Sequence, residues 1–318
     1  MNIVTDMVTL VQEYLDYRRK LGFKLKIEGQ QLLRFAEYAD QSGHQGSLTT
    51  ELALRWARLP ENASRLYQAR RLEVVRCFTK YRAIFDRDTE IPPNGLLGKA
   101  HRRTPPHIYS DKEIDELMKA AEQLSPTDGL RPRTYTTLFG LLASTGLRIS
   151  EALRLQREEV DLERGILKIV ETKFHKSRLV VVHPSAREQL RTYARVRDRH
   201  HPLPESDTFL LSRHGTALNY STVKSTFRSI CDRLEWKSNG GRRRPRMYDL
   251  RHTFACRRLL QWYRDGVDVD HAMASLSTYM GHSKATDTYW YITGVPELMQ
   301  IVADRFESFT HTNGRETC

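Results

Sequence analysis

A stretch rich in proline, glycine and basic residues divides this chain of 318 residues and constrains its fold more than any other feature. Residues 91–95 read Ile-Pro-Pro-Asn-Gly, and residues 104–106 read Thr-Pro-Pro. Proline lacks the backbone N–H that a helix interior or an inner strand needs, so neither element runs through this stretch. The length also suits two domains of roughly 150 residues each. We therefore predict a helical domain over 1–90, a linker over 91–109 and a second domain over 110–318.

The spacing of apolar residues predicts a mainly helical structure on both sides of the linker. Ser110 and Glu113 have the spacing of a capping box, which marks the start of the second domain. Two runs rich in valine and isoleucine, 165–170 and 178–182, read as the strands of a hairpin. The other predicted helices lie near 5–20, 28–42, 48–58, 62–84, 132–144, 149–155, 185–200, 220–234, 248–264, 269–280, 284–291 and 295–307. The predicted fold class is mainly α, with an all-α domain followed by an α+β domain that holds a small antiparallel sheet.

The chain is strongly basic, with 51 Lys and Arg against 39 Asp and Glu, a net charge of +12 and a pI near 9.6. This balance favours a phosphate-rich partner, although a generic basic protein would show the same excess. The basic residues are concentrated in two clusters, at 99–103 and 242–246, which favours DNA as the partner. The hairpin tip is also basic and could enter a DNA groove; the alternative is a solvated basic turn. The predicted DNA-binding residues are Lys99, Arg102, Arg103, Lys176, Arg178, Arg242, Arg243, Arg244 and Arg246.

Several classes of protein are excluded by what the sequence lacks. No apolar run approaches the ~20 residues of a membrane span, and the first residues do not read as a signal peptide. The four cysteines are scattered and never form Cys-x-x-Cys, which argues against a zinc site or a disulfide framework. We therefore expect a cytoplasmic protein without a bound metal.

Four local patterns after the linker carry polar residues at the edges of predicted elements. Thr-Gly-Leu-Arg precedes a helix and has a glutamate three residues on, and a lysine lies in the hairpin. An arginine opens an apolar helix, and Gly-His is followed nine residues later by tyrosine. Each pattern is weak alone, but their order and spacing resemble the tyrosine recombinase (phage integrase) family. The residues that match the family pattern are Arg148, Glu151, Lys173, Arg251, His282 and Tyr291.

The resemblance implies an all-α, SAM-like core-binding domain followed by a catalytic domain of the tyrosine recombinase type. It also implies transesterification at a DNA phosphodiester, with Tyr291 as the nucleophile that forms a 3′-phosphotyrosyl bond. Tyr289, two residues earlier, is the rival nucleophile. Arg148 and Arg251 would neutralise the equatorial oxygens of the phosphate, because guanidinium groups bind them in a fixed bidentate geometry.

The resemblance also assigns the proton transfers, without a metal, a cofactor or ATP. Lys173 would protonate the leaving 5′-oxygen, His282 would donate a hydrogen bond to the phosphate, and Glu151 would orient an active-site partner. The chain departs from the family at Tyr248, where the family has a histidine, so proton handling by Tyr248 stays open. His252 lies one residue after the second arginine, and we expect it to point elsewhere on the helix.

The resemblance implies that the partner is double-stranded DNA with specific recombination sites. A homo-tetramer would bind paired sites at the nucleoid, and accessory proteins are a further option. The segment 296–306 reads as an amphipathic helix that either packs within its own chain or docks on a neighbour. A mobile element is the predicted context, and integration, transposition, cointegrate resolution and chromosome-dimer resolution all stay open as roles. Two alternatives to a recombinase remain: a type IB topoisomerase-like enzyme that nicks and closes DNA, and a DNA-binding module that has lost catalysis.

Overall fold

A computed structural model describes residues 6–101, 105–170, 177–237, 244–282, 284, 286–293 and 303. The chain divides into two compact units, Met1–Thr104 and Pro105–Cys318. Within the described residues, the first unit is entirely helical, whereas the second combines helices with a small sheet. The predicted fold class is therefore confirmed.

The first unit contains four helices whose apolar faces enclose one core. Val11, Leu15, Phe35, Trp56 and Phe78 form its centre, and each is at most 2% exposed. Three of the helices begin at a side chain that accepts a hydrogen bond from the first turn, which satisfies one of the unpaired N–H groups there. The helices are α1 (Met7–Lys20), α2 (Lys26–Gln41), α3 (Thr50–Arg58) and α4 (Arg65–Arg82).

Much of the stretch predicted as a linker packs against one unit or the other. Arg76 donates a hydrogen bond to the carbonyl of Pro92 at 2.8 Å, and Leu97 is buried in the core of the first unit. Tyr109 is buried in the second unit, where its backbone N–H donates to Thr253 Oγ1 at 2.9 Å. These contacts tie residues 92 and 97 to the first unit and residue 109 to the second.

The second unit begins with the predicted capping box: Ser110 and Glu113 satisfy each other's backbone N–H groups. Eight helices follow within the described residues. They are α5 (Asp111–Glu122), α6 (Leu130–Thr145), α7 (Ile149–Arg154), α8 (Pro184–His200), α9 (Tyr220–Arg233), α10 (Met247–Arg264), α11 (Val269–Met280) and α12 (Thr286–Thr293). The predicted helix over 295–307 lies outside the described residues, apart from residue 303.

The sheet of the second unit is antiparallel, in the order β1 (Val160–Asp161), β2 (Ile166–Ile169) and β3 (Arg178–Val181). In the register of the predicted hairpin, Ile169 is opposite Arg178. Side chains alternate between the two faces of a strand, and Val180 is buried whereas Leu179 and Val181 are exposed. No helix in the described part of the chain is both long and apolar enough to cross a membrane.

Candidate active site

A tight turn between α6 and α7 positions Arg148. Gly146 ends α6 with φ +62°, in the left-handed region that favours glycine, and a Cβ there would lie 2.6 Å from Phe254 Cδ1. Two residues later Arg148 precedes α7, and its backbone N–H and Nη1 both donate to Glu151, at 3.0 and 2.7 Å. The Thr-Gly pattern of the sequence is therefore the break that aims the Arg148 guanidinium into the interior of the second unit.

Arg251 lies on the first turns of α10 and is almost fully buried, with 2% of its surface exposed. Its Nη1 donates to the carbonyl of Gly146 at 2.6 Å, and its Nη2 donates to the carbonyl of Met280 at 2.6 Å. These carbonyls belong to the ends of two different helices, α6 and α11. The guanidinium of Arg251 therefore joins two turns that are far apart in the sequence.

The turn after α11 completes the pair of arginines. Gly281 ends that helix with φ +67°, and its carbonyl accepts a hydrogen bond from Nη2 of Arg148 at 2.7 Å. Arg148 retains 28% of its side-chain surface exposed, in contrast to the almost fully buried Arg251. Both arginines thus bond the turn at 280–281, and Arg251 also bonds the turn at Gly146 that precedes Arg148.

His282 follows this turn and is held at both ring nitrogens. Its Nε2 lies 2.9 Å from Nη2 of Arg251, and its Nδ1 lies 2.7 Å from Oγ1 of Thr288. An arginine only donates, so Nε2 is the acceptor and Nδ1 carries the proton. Burial, followed by the charges of Arg251 and Arg148, lowers the pKa of His282 to about 4. The ring is therefore neutral here and accepts from Arg251, whereas the sequence predicts a donor toward phosphate.

Glu151 is buried between two arginines. Arg178 at the start of β3 donates to both of its oxygens, at 3.1 and 2.8 Å, and Arg148 donates from the other side. Burial alone would raise the pKa of Glu151, but the hydrogen bonds and charge of Arg178, and then those of Arg148, lower it to about 2. Arg178 is predicted from the sequence to contact DNA; in the structure its guanidinium faces inward instead, and its side chain is 9% exposed.

The two candidate tyrosines of α12 lie in different environments. Tyr291 is 2% exposed, and its ring stacks on His282 with centroids 5.9 Å apart. Tyr289 is 44% exposed. Burial raises the pKa of Tyr291 to about 12, although the positive charge of Arg251 opposes this shift. The structure therefore brings Tyr291, and not Tyr289, together with Arg251 and His282.

A comparison with known families decides what kind of protein carries this arrangement. The model of the phage integrase family matches residues 108–296, which is more than half of the chain. The chain belongs to the phage integrase family.

Relatives of this integrase agree with the assignment. A protein of Sinorhizobium fredii named as an integrase/recombinase is 40% identical over 303 residues, which cover 93% of the chain and 96% of that protein. The tyrosine recombinase XerC of Chlamydia caviae is 29% identical over 237 residues, or 73% and 69% of the two chains. The Tn1549 transposon integrase, solved with transposon right end DNA, has a similar fold: the TM-score is 0.69 at 14% identity, over 96% of this chain and 100% of that one.

The integrase departs from the family pattern at Tyr248, and the structure places a histidine close by. Tyr248 is 47% exposed, and its ring lies 4.8 Å from that of His252. His252 is buried, and its ring also lies 5.0 Å from Trp290 and 5.2 Å from Tyr291. Its Nδ1 is buried without a hydrogen-bond partner in the part of the chain that the structure describes. The prediction that His252 points away from the site is therefore wrong.

Helical spacing is the signal that finds His252. It lies four residues after Tyr248, and residues four apart share one face of a helix. Desolvation of its buried ring lowers the pKa of His252 to about 4, despite an opposing effect of Asp249. The integrase therefore holds a second neutral histidine against the ring of Tyr291.

The structure describes three of the other predicted DNA-binding residues. Lys99, in the first unit, is exposed. Arg244 pairs with Asp232 at 2.6 Å, and Arg246 pairs with Asp249 at 2.6 Å, where it helps to cap α10. The predicted residues outside the described part of the chain are Arg102, Arg103, Lys173, Lys176, Arg242 and Arg243.

Proposed function

We propose that this integrase is a site-specific DNA recombinase that cuts and rejoins strands through a 3′-phosphotyrosyl intermediate. The observation that carries the proposal is the placement of Tyr291 on the ring of His282, which in turn bonds Arg251. A phenol, two guanidinium groups and an imidazole in one buried cluster suit attack on a phosphodiester. The bond energy is kept in the protein–DNA ester, so neither ATP nor a metal enters the proposed reaction.

Arg148 and Arg251 would bind the non-bridging oxygens of the scissile phosphate. The attack concentrates negative charge on these oxygens, and fixed donors in a site of low dielectric stabilise that charge without reorganising. Both side chains are already held by backbone carbonyls. Arg148 is the more exposed of the two, so it would meet the phosphate first.

Deprotonation of Tyr291 is the difficult step in this proposal. Its pKa near 12 leaves the hydroxyl protonated at neutral pH, and its burial keeps it away from bulk solvent. Arg251 favours the phenolate, and the neutral ring of His252 lies beside the phenol. Lys173, outside the described residues, would protonate the 5′-oxygen as it leaves.

The test of the reaction is a covalent adduct. The full chain is incubated with a labelled DNA site that is nicked next to the cleavage point, so that the released short strand diffuses away and the adduct is trapped. We expect a protein–DNA band that survives SDS, with the attached peptide mapping to Tyr291. A chain that binds the DNA and forms no adduct would be a DNA-binding module, and this result would overturn the proposal.

A type IB topoisomerase-like activity is separated by a second substrate. Such an enzyme would relax supercoiled plasmids that contain no recombination site. We expect strand exchange between two plasmid sites and no relaxation of a plasmid without one. Candidate sites are to be sought among repeats beside the gene, because we propose that the recombinase serves a mobile element through integration, transposition or cointegrate resolution.

We also propose that four protomers act on paired sites at the nucleoid, since two duplexes present four strands and each protomer supplies one Tyr291. Accessory proteins would bias the direction of exchange. Deleting residues 295–318 should impair synapsis of two sites more than binding of one site if that segment docks on a neighbour. Native gels with one-site and two-site DNA measure the difference, and unchanged recombination by the shortened chain would contradict docking in trans.

A further inference from the structure

Arg178 is the residue whose position differs most from its predicted role. It follows directly on the hairpin tip, as the first residue of β3. All three guanidinium nitrogens donate: Nη1 and Nη2 to Glu151, and Nε to the carbonyl of Tyr279 at 2.7 Å. With its side chain 9% exposed, little of it is left for a DNA phosphate.

The contacts of Arg178 link it to Arg148 and to the turn before His282. Arg178 donates to the carboxylate of Glu151, which also accepts hydrogen bonds from Arg148. Through Tyr279 it holds the end of α11, just before the turn that presents His282. The approach is close: a Cβ on Gly281 would lie 2.7 Å from Nη1 of Arg178, so only glycine fits there without displacement.

We propose that Arg178 is a positioning residue for recombination, which fixes the guanidinium of Arg148 through Glu151 and the Gly281–His282 turn through the carbonyl of Tyr279. This inference rests on the proposed function. It assigns to Arg178 no contact with the substrate. The effect on the phosphate is exerted through Arg148 and His282.

The physical reason is the buried carboxylate. Glu151 is 4% exposed, and a buried charge that loses one partner is strongly destabilised. Without Arg178, the carboxylate would draw on Arg148 alone and would compete with the DNA phosphate for its guanidinium. Lysine is a poor replacement, because a single ammonium cannot make the bidentate bond to Glu151 and also reach Tyr279.

The experiment separates positioning from DNA contact. For Arg178→Ala and Arg178→Lys we expect DNA affinity within about twofold of the parent chain and an unchanged slope of log K against log salt, since no phosphate contact is lost. Single-turnover cleavage of the nicked site should fall about 10- to 100-fold, the range for a reacting group misplaced by a distant change. Arg164→Ala is the matched control, because Arg164 follows β1 in the same sheet and its side chain is 81% exposed. A salt slope reduced by about 0.9 would instead assign Arg178 to a phosphate and overturn the proposal.

A modified substrate tests whether the loss acts through Arg148. A methylphosphonate at the scissile position lacks one of the charges that the arginines neutralise. We expect the cleavage defect of Arg178→Ala to shrink on this substrate, as it should for Arg148→Ala. An equal defect on both substrates would mean that the loss does not act through Arg148, and would overturn the inference.

A readout without catalysis keeps the inference distinct from the proposed function. Burial would raise the pKa of Glu151, but Arg178 and Arg148 lower it to about 2. The ionised carboxylate therefore stabilises the fold at any pH above the pKa that Glu151 has in the unfolded chain. This stabilisation is lost as the pH falls from that value toward 2. We expect the difference in Tm between the parent chain and Arg178→Ala to be constant above about pH 5 and to narrow as pH falls from about 5 toward 2. The narrowing should vanish in a Glu151→Gln background. A difference in Tm that does not change with pH would contradict the link between the two residues even if the chain cut no DNA.

Discussion

The interior of the second unit and the basic surface of the chain use the same residue types in opposite ways. In the interior, Arg251 is 2% exposed and bonds two backbone carbonyls. At the surface, Arg246 is 43% exposed and pairs with an aspartate. Tyrosines divide likewise, since Tyr291 is buried whereas Tyr248 is half exposed.

The difference shows that the net charge of +12 combines two kinds of cation. The guanidinium groups of the interior arginines are fixed in direction before any substrate binds, so their contribution to the proposed reaction is to orient the phosphate. The surface cations would interact with DNA through a screened field, and each would contribute a little to affinity. Substitutions should therefore affect the chemistry in one region and binding in the other.

The largest effect is expected from Tyr291→Phe. The change removes one oxygen and keeps the ring that packs on His282 and His252, so folding and DNA binding should survive. The covalent adduct on the nicked site should disappear, because the attacking atom is gone. The measurement is the SDS-stable band. Tyr289→Phe is the control, and an adduct that persists in Tyr291→Phe would assign the nucleophile to another residue.

Arg251→Lys is expected to have the next largest effect. The charge is kept, but one ammonium cannot bond the carbonyls of both Gly146 and Met280 and also a phosphate. Cleavage should fall about 10²- to 10³-fold, the usual loss when one preorganised donor to a developing anion is removed. Single-turnover rates at saturating protein measure it. Arg264→Lys, an exposed position on the same helix, should match the parent chain; parent-like cleavage by Arg251→Lys would refute a geometric role.

Tyr248→Phe should have a smaller effect. Its hydroxyl belongs to a half-exposed ring, and a phenol is a weaker general base than the imidazole that the family carries at this position. We expect substantial cleavage to remain, and Tyr248→His to be as active or more active. A loss of about 10²–10⁴ in Tyr248→Phe would instead identify general acid–base catalysis by this hydroxyl.

The smallest effect is expected in the basic cluster 242–246 of the sequence. Arg243→Ala should weaken binding to all DNA sequences alike and reduce the salt slope by about 0.9, the amount for one phosphate contact. Cleavage at saturating protein should be unchanged. Binding isotherms at several salt concentrations test this, and an unchanged slope would show that Arg243 contacts no phosphate.

The sequence predicts most of the fold because helices and caps are local. The capping box at Ser110 and the left-handed end of α6 at Gly146 are where the spacing places them. The two-residue strand β1 was not predicted, because two residues carry no periodic signal. It forms only because β2 offers its edge.

The inward direction of Arg178 could not be predicted, although the alternation of side chains along the strand places it on the same face as Val180. Arg178 shares a face with Val180, which is fully buried, but the run Arg-Leu-Val-Val-Val is apolar on both faces. Nothing local says which face is inside. Only the tertiary placement of Glu151 and Tyr279 decides it.

The exchange of hydrogen bonds between the two glycine turns sets an order of events during protein synthesis. Arg148 leaves the ribosome 133 residues before Gly281, whose carbonyl it bonds, and Gly146 leaves it 105 residues before Arg251. A nascent or prematurely terminated chain that ends before α10 carries the first unit and Arg148, but no second arginine and no nucleophile. Such fragments lack groups that the proposed cleavage needs. A frameshift even late in the gene, before the codon of Tyr291, would therefore abolish the proposed cleavage.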